Sequence, residues 1–339
     1  MRKFTAKIIS FVLLISLFTA SLSSCAKKEL KSETALDWFD TVTTVSAPKS
    51  DFEDVWKICS EMFEKYDKLF DIYNEYDGVN NVCTVNKNAG KAPVVVEKDL
   101  FELLEYSKEI YSVTNGKVNV AMGSVLKIWH SYREAGLEDS EKAEIPSKEE
   151  LSEAAKHIGI NAVELNTEEL SVYINDENVS LDVGAIAKGF AVEKVAKALE
   201  EAGYKSVLIS AGGNVRAVGT KPGGEKWKVG ISDPNGGNAY PAICEISDAS
   251  VVTSGSYQRF YTADGKKYHH IIDPETLFPS EYFVSVSVCL RDSGLADALS
   301  TALFLMNEER GRELCESVGA EAFWIYDDGK TSATAGFPK

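Results

Sequence analysis

The chain has 339 residues, of which 44% are hydrophobic and 26% charged, and its formal net charge is −16. Nucleic acid is not an expected partner, because phosphate binding requires clustered lysine and arginine side chains that this acidic chain lacks. The cysteines have no CxxC spacing, which argues against a zinc site and against a dense disulfide framework.

The first 24 residues (1–24) have the features of an export signal. Basic residues precede an apolar run over residues 8–18 that is too short to span a bilayer of about 30 Å comfortably, and the sequence LSSC follows, ending at Cys25. This ending resembles the lipobox of bacterial lipoproteins. The resemblance implies lipid attachment at Cys25 and a position on the extracytoplasmic side of the cell membrane. The alternative is a plain secretory peptide with an incidental cysteine.

Residues 25–35 are polar and charged without an apolar period, which predicts a lipidated tether. Residues 36–339 contain no evident linker, so we expect a single domain there. The charged stretch over 138–150 is interpreted as an exposed insertion or the start of a helix.

The remaining pattern mixes helices with antiparallel strands. Apolar residues recur at three- and four-residue steps in the first helix, and Asn115-Gly116 ends the second. The predicted elements are a helix over 51–70, a helix over 99–114, a strand pair over 171–183, a helix over 186–202, a β-rich stretch over 206–288, helices over 295–306 and 308–318, and a final strand over 322–326. No βαβ unit repeats, which predicts an α+β fold with antiparallel sheets and packed helices.

A first candidate site lies where a strand enters a helix, in the segment LDVGAIAKGFA over 181–191. Gly184 and Gly189 allow the backbone to approach a ligand closely, the helix N-terminus offers unpaired N–H groups to an anion, and Lys188 adds positive charge. The alternative is that these glycines serve only the geometry of the turn.

A second candidate is the pair Asp297 and Thr301, which lie four residues apart in a predicted helix. This spacing places a carboxylate and a hydroxyl on one helical face, as hard oxygen ligands suited to Mg²⁺. Alternatively, Asp297 caps its own helix and Thr301 bonds back to the preceding turn.

A third candidate combines the segment over 252–260 with His269 and His270. The turn at 262–266 predicts a hairpin that brings Thr253, Ser254 and Gly255 opposite the histidine pair. Adjacent strand residues point to opposite faces, so only one histidine is expected to enter a site.

Together these motifs resemble the FAD:protein FMN transferases, the ApbE-type lipoprotein family, over nearly the whole chain behind the tether. The motifs are LDVGAIAKGFAVEKV (181–195), LISAGGNVRAVG (208–219), VVTSGSYQRFY (251–261), HHIIDPETLFPS (269–280) and GLADALSTALFLM (294–306), with family-like segments FDTVTTVSA (39–47), YDKLFDIYNEYDGVNNVCTVN (66–86) and GKVNVAMGSVLKIW (116–129). Five motifs in one order are far more specific than any single motif. The fold that this resemblance implies is a single domain related to the T-fold.

The resemblance also implies a metal site and a flavin site. The Ala185 carbonyl and the Asp297 and Thr301 side chains would hold Mg²⁺, with Asp182 orienting the turn rather than ligating. FAD, as the substrate, would be lined by Asp40, Thr41, Asn119, Lys188, Thr253, Ser254, Gly255, His270 and Ile271. Of the two histidines, His270 would act as the general base.

Family members cleave the pyrophosphate of FAD, release AMP and leave FMN on a Ser or Thr of a target protein. The implied partner is therefore an exported or membrane redox flavoprotein with a Ser or Thr acceptor motif. One alternative is an FAD pyrophosphatase that gives FMN and AMP, and another is a non-catalytic flavin-binding lipoprotein.

Three local features bear on this interpretation. Leu277 stands at the glycine position of the family's Asp-Pro-x-Thr-Gly-x-Pro loop, so a different loop path is expected. Asn119 stands where many members carry Asp, which should alter that pocket contact. The segment DGKTSAT over 328–334 resembles the acceptor pattern, with Thr334 at the flavinylated position, so self-modification is a hypothesis. The alternative is a flexible polar tail.

Overall fold

The computed structural model describes residues 29–237 and 239–338. The export signal, Cys25 and the first residues of the expected tether lie outside the described residues, so these interpretations stay predictions. Within the described ranges, no helix is both long and apolar enough to cross a membrane.

The described residues form strands and helices in a mixed order. The strands are β1 (Leu30–Ala35), β2 (Thr43–Pro48), β3 (Val94–Val95), β4 (Val163–Asn166), β5 (Ser171–Ile174), β6 (Ser206–Ala211), β7 (Asn214–Gly219), β8 (Trp227–Ile231), β9 (Ala242–Ile246), β10 (Ser250–Gly255), β11 (Phe260–Ala263), β12 (Lys266–His269), β13 (Ser285–Leu290), β14 (Glu321–Ile325) and β15 (Thr331–Ala333). The α-helices are α1 (Phe52–Phe70), α2 (Val82–Lys87), α3 (Lys98–Val113), α4 (Gly123–Glu138), α5 (Lys148–Ala154), α6 (Ala187–Glu201), α7 (Ser293–Phe304) and α8 (Glu308–Val318).

An eight-stranded sheet with the order β1-β2-β6-β7-β10-β13-β14-β15 forms the centre of the molecule. Every neighbouring pair in it is antiparallel. Smaller sheets pair β11 with β12, β8 with β9, and β3 with β5 and β4. The predicted α+β class with antiparallel sheets is therefore confirmed.

The main sheet is covered on both faces. Helices α1, α6 and α7 share the largest core with one face, and the β8–β9 hairpin packs its apolar side chains against the other. A third cluster joins α4, α5 and the β11–β12 hairpin. Most predicted helices lie within two residues of their observed bounds, because their apolar faces pack on this core.

The expected tether is partly folded, which corrects its predicted end at residue 35. Residues 30–35 form β1, an edge strand whose register pairs Leu30 with Pro48 and Ala35 with Thr43. Its side chains pair through hydroxyls, Ser32 with Ser46 at 2.7 Å and Thr34 with Thr44 at 3.0 Å. A strand held by main-chain bonds and cross-strand hydroxyls has no apolar period, so pattern analysis misses it.

Two further strand predictions are wrong in detail. Only Ser171–Ile174 of the expected pair over 171–183 is a strand, and it pairs with Val163–Asn166 and Val94–Val95 instead. The strand over Glu321–Ile325 does not close the chain, because Thr331–Ala333 returns beside it as β15. The expected polar tail is thus paired backbone.

Candidate active site

Helices α6 and α7 each satisfy the first turn of the other. The Gly189 N–H donates to Asp297 Oδ2 at 2.8 Å, and the Ser293 N–H donates to Glu193 Oε2 at 2.9 Å. A side chain at Gly189 would collide with the Asp297 side chain, so only glycine allows this approach. Because N-terminal N–H groups lack partners within their own helix, these bonds fix the two helices against each other.

Asp297 therefore does not cap its own helix, so that alternative is wrong. Asp292 caps α7 by accepting from the Leu295 N–H at 3.0 Å. Thr301 has a neighbour outside its own helix, because its Oγ1 lies 3.4 Å from Ser254 Oγ. The structure thus brings Asp297, Thr301 and Ser254 together beside the N-terminus of α6.

A chain of hydroxyls supports Thr301. Ser300 Oγ donates to the Asp297 carbonyl at 2.9 Å, and Ser254 Oγ lies 2.7 Å from Ser300 Oγ. Because the Ser300 hydrogen is used, Ser254 donates to Ser300, and its oxygen can then accept from Thr301. This arrangement leaves the lone pairs of the Thr301 hydroxyl available to a ligand.

Asp297 is only 5% exposed, and Asn214 beside it is 2% exposed. Asn214 Nδ2 lies 3.5 Å from Asp297 Oδ1, a long contact, and Asn214 Oδ1 is buried without a hydrogen-bond partner. Burial raises the pKa of Asp297, whereas Lys188, the Gly189 N–H and Asn214 lower it. This carboxylate has one short hydrogen bond and spare acceptor capacity.

The turn before α6 is shaped by Asp182, whose Oδ1 accepts from the Gly184 N–H at 2.9 Å. Ala185 follows, half-buried, within the bend that the Ile186 N–H closes onto the Val183 carbonyl at 3.0 Å. Asp182 therefore orients the turn, as the sequence predicted. The turn and α7 both lie at the N-terminus of α6.

These residues fit a hard divalent cation. The available groups are one buried carboxylate, a threonine hydroxyl and a backbone carbonyl, and all of them offer oxygen. Across the part of the chain that the structure describes, no group of three or more His, Cys, Asp or Glu side chains could hold a metal. A soft-metal or zinc centre therefore has no support among these residues.

The two adjacent histidines have different environments. His269 is buried, its Nε2 donates to the Ser280 carbonyl at 2.7 Å, and its Nδ1 accepts from the Ile271 N–H at 3.2 Å, so both nitrogens are used. His270 is exposed, and its Nδ1 lies 3.1 Å from the Arg259 carbonyl. Since a carbonyl only accepts, Nδ1 carries the hydrogen and Nε2 keeps its lone pair.

The pKa of His270 lies below its ordinary value near 6.5. The surrounding protein disfavours the charged ring, and the positive charges of Arg259 and Lys188 lower the pKa further, although the residue remains open to solvent at the surface. A neutral imidazole with a free Nε2 can accept a proton, although the lowered pKa makes it a weaker base than an ordinary histidine.

The predicted hairpin exists, but it does not bring 253–255 opposite the histidines. Its register pairs Phe260 with His269, whereas Thr253 pairs with Ser287 in the main sheet. Thr253 Oγ1 bonds Ser287 Oγ at 2.7 Å on the face away from α7, whereas Ser254 faces α7. Because side chains alternate along a strand, only one of these two hydroxyls can enter the site.

Several other residues that were predicted to contact the flavin already make hydrogen bonds or packing contacts within the chain. Asn119 Nδ2 donates to the Ile158 carbonyl at 2.8 Å and its Oδ1 accepts from the Ala121 N–H at 3.0 Å. The Ile271 side chain is buried in the main core. Gly255 ends β10, where the Tyr257 ring fills the space of a missing side chain. These positions shape the site rather than offer free side chains.

Asp40 and Thr41 lie at the edge of the site. Asp40 is exposed with a φ of 50°, in the left-handed region, and Phe39 before it has a φ of 54°. Thr41 packs directly against Gly212, whose neighbour Gly213 accepts from the Thr253 N–H at 3.1 Å. The segment therefore adjoins the turn that leads to Asn214.

Sequence reasoning missed an aromatic and basic group beside Asp182. Tyr73 is 61% exposed and its ring lies 5.6 Å from the His130 ring. Burial raises the pKa of Tyr73, Asp182 raises it further, and Arg133 and Arg259 lower it, which places these charges near its hydroxyl. An unusually exposed tyrosine is visible only in the folded chain, so the sequence offered no signal for it.

Leu277 keeps the conformation that glycine favours. Its φ is 66°, and its carbonyl accepts from Trp129 Nε1 at 2.9 Å. The expected change of loop path is therefore not needed. Leu277 instead occupies a left-handed backbone position while its side chain packs on the cluster around Trp129.

Thr334 is held beside β14. Its hydroxyl donates to the Glu321 carboxylate and accepts from the Ala322 N–H at 2.9 Å. Three strand spacings, about 14 Å, separate β15 from β10. Transfer to Thr334 within one molecule would require this segment to detach, and self-modification stays a prediction.

The comparisons with known proteins point to one family. The ApbE family model matches residues 39–324. The FAD:protein FMN transferase of Treponema pallidum is 36% identical over 271 residues, which are 75% of this chain and 73% of that protein. The FAD:protein FMN transferase of Haemophilus influenzae is 25% identical and covers 98% of both chains.

Solved structures share the fold. The ApbE protein of Thermotoga maritima superposes with a TM-score of 0.79 at 27% identity, covering 92% of this chain and all of that one. The flavin transferase ApbE of Vibrio cholerae has a TM-score of 0.76 at 24% identity and covers 91% of this chain and 98% of its own. With the family match spanning all the candidate residues from Asp40 to Thr301, this chain belongs to the ApbE family.

Proposed function

We propose that this chain is an FAD:protein FMN transferase that moves FMN from FAD to a Ser or Thr hydroxyl of a target protein in a Mg²⁺-dependent reaction and releases AMP. The observation that carries the proposal is the convergence of Asp297, Thr301 and Lys188 at the N-terminus of α6. Such a terminus favours phosphate oxygens. The flavin chemistry is that of the similar FAD:protein FMN transferases.

The residues that would hold Mg²⁺ are Asp297, Thr301 and Ala185 through its carbonyl. A bound divalent cation supplies positive charge against the phosphate oxygens of FAD. The chain's own part is to present these oxygens in fixed positions. Gly189 and Ser254 do so by bonding Asp297 Oδ2 and Thr301 Oγ1, respectively.

His270 would prepare the acceptor. Its neutral Nε2 takes the proton of the target hydroxyl as the hydroxyl oxygen bonds to the FMN phosphorus. The anhydride bond to the AMP phosphate breaks in the same exchange, so AMP leaves with the bridging oxygen. Atoms balance without another reactant, and water in place of the hydroxyl would give FMN and AMP.

The proposed location is the extracytoplasmic side of the cell membrane, with the chain anchored by lipid on Cys25. The proposed partner is an exported or membrane redox flavoprotein with a Ser or Thr acceptor. Support comes from the export signal and the lipobox-like sequence LSSC. Replacement of Cys25 by Ala should release the protein from the membrane fraction and abolish labelling with palmitate.

Asp297→Asn tests the catalytic proposal. The amide oxygen still accepts from the Gly189 N–H, so the helix pair should persist, whereas the loss of charge should lower FMN transfer by at least about 100-fold. The same change at Asp292, the cap of α7, is the matched control and should leave activity near the wild-type level. In-gel flavin fluorescence of a flavoprotein acceptor and AMP release are the readouts, with circular dichroism to confirm folding.

The outcomes separate the candidate functions. Full activity in Asp297→Asn would contradict the assignment of Asp297 as a Mg²⁺ ligand. AMP release without labelled acceptor would instead identify an FAD pyrophosphatase. Flavin binding without AMP release would identify a non-catalytic flavin-binding lipoprotein.

A further inference from the structure

The main sheet has two ends at β1 and β2, which we call the anchor end and the site end. The anchor end is defined by Leu30, Pro48, Ser206 and Gly219, which the strand registers bring together. The site end is the opposite one, where Ala35, Thr43 and Ala211 are paired and the Gly212–Gly213 turn leads to Asn214. Thr41 beside that turn is seven residues from Pro48 along β2, or about 23 Å.

The chain enters the fold at the anchor end. Only three residues separate Cys25 from Glu29, the first described residue, and β1 begins directly after it. Four residue steps span at most about 14 Å even when fully extended. The tether is therefore much shorter than the 11 residues that the sequence pattern suggested, and it leaves the anchor end little freedom.

Charge favours the same orientation. Six lysines lie at the anchor end or directly before Glu29 in the sequence: Lys27, Lys28, Lys49, Lys205, Lys221 and Lys226. The nearby carboxylates are Glu29, Asp51, Asp54, Glu225 and Asp248. In a chain of net charge −16, this nearly balanced end is repelled by an anionic lipid surface less than the acidic remainder of the chain. The exposed flank of β1 instead carries two carboxylates, Glu33 and Glu53, around the single lysine Lys31, which disfavours lying flat on this edge.

We propose that the anchor end faces the lipid surface and that the candidate active site opens about 20 Å or more beyond it. The partner is therefore a protein whose acceptor hydroxyl stands off the membrane, on a soluble domain or a long stem. This inference rests on the proposed lipid anchor and concerns orientation rather than chemistry.

The test compares two labelled positions in the full-length lipoprotein. Ser50→Cys places a fluorophore at the anchor end, and Leu36→Cys places one directly after β1 at the site end, where the side chain is exposed. Neither residue belongs to the catalytic machinery. The protein is reconstituted into vesicles of phosphatidylethanolamine and phosphatidylglycerol that carry a short-range quencher on the headgroups. The unsubstituted protein is treated with the same fluorophore, and its signal gives the background from labelling of the native cysteines.

We expect the label at residue 50 to be quenched at least about three-fold more strongly than the label at residue 36, which lies about 20 Å from Leu30 along β1. A flexible insertion of about 20 residues after Lys28 should remove this difference, because such a linker spans about 25 Å on average. Equal quenching without the insertion, stronger quenching at residue 36, or protein that does not stay with the vesicles would overturn the proposal. FMN transfer by the same variants in detergent is measured separately, so a failure of orientation is distinguishable from a failure of catalysis.

Discussion

His269 and His270 are adjacent in the chain but differ in how their ring nitrogens are used, which makes only His270 a candidate base. His269 uses both ring nitrogens inside the fold, whereas His270 uses only Nδ1 and keeps Nε2 free. The Arg259 carbonyl fixes the tautomer. Desolvation is the main cause of the lowered pKa of the ring, and the Arg259 charge lowers this pKa further. Arg259 thus sets which nitrogen can take a proton and contributes to keeping the ring neutral.

The pH dependence of transfer tests this control. Because the pKa of His270 lies below 6.5, the base stays neutral as the pH falls through 6.5, and kcat/KM should decline only at lower pH. Arg259→Gln removes a positive charge, raises the pKa of His270 and should move the acid limb up by about 0.5 pH unit. Arg310→Gln, an exposed arginine on α8, should not move the limb. An unchanged limb in Arg259→Gln would contradict the assignment of His270.

Leu277 allows the backbone strain to be measured separately from packing. Leu277→Ala and Leu277→Gly lose the same contacts with Trp129, but only glycine relieves the φ of 66°. The glycine variant should be more stable than the alanine variant by about 1 kcal/mol in urea unfolding. At Leu137, an exposed residue of α4, the order should reverse, because alanine favours a helix. The same order at both positions would show that Leu277 is not strained.

The sequence allowed a candidate assignment only for residues whose partners are close in the chain. The four-residue step from Asp297 to Thr301 and the turn before Lys188 were both recognisable. Asn214 and Ser300 were not assigned, because their effect on Asp297 and Thr301 depends on a strand and a helix that meet only in the fold. Thr253 was misplaced for the same reason, since the sequence does not say which sheet face holds α7.

At the scale of elements, the mutual capping of α6 and α7 fixes the two helices that carry the candidate site. Asp297 lies one turn and Glu193 nearly two turns inside its own helix, and each carboxylate meets the first turn of the other helix. The sequence predicted both helices from their apolar faces, but their crossing is set by Gly189 and by long-range hydrogen bonds. Strand β1 escaped prediction because its stabilising contacts are hydroxyl pairs and main-chain bonds rather than a buried apolar face.

Truncation tests the contribution of β1. A domain that begins at Leu36 lacks β1 and exposes the edge of β2, whereas one that begins at Glu29 retains the whole sheet. The free energy of unfolding of the shorter domain should be lower by about 2 kcal/mol, because this domain loses several cross-strand pairs and the contact of Lys31 with the Phe52 ring. It should also aggregate more readily, since β2 becomes an unpaired edge. Identical urea midpoints for the two domains would show that 30–35 is a tether after all.

At the scale of the whole molecule, the main sheet would link the proposed lipid anchor to the candidate site. The proposed tether precedes β1, and the candidate active site lies past the other end of the β1–β2 pair. With the short tether that we propose, the length of these two strands would set the height above the membrane at which an acceptor can be reached. The acidic remainder of the chain and the lysines close to the proposed tether would then favour one orientation at an anionic surface.

This height predicts a preference for acceptors on long stems. A flavoprotein acceptor can be held on vesicles by a lipid-linked stem of about 4 or about 30 residues, and the lipidated enzyme reconstituted beside it. The long-stem acceptor should be labelled at least about five-fold faster, because only its hydroxyl reaches a site about 20 Å or more above the surface. The Cys25→Ala enzyme, free in solution, should label both acceptors at similar rates, which removes any effect of the stem on the acceptor itself. Equal rates with the lipidated enzyme would mean that the site lies at the membrane surface, and faster labelling of the short stem would mean that it faces the bilayer.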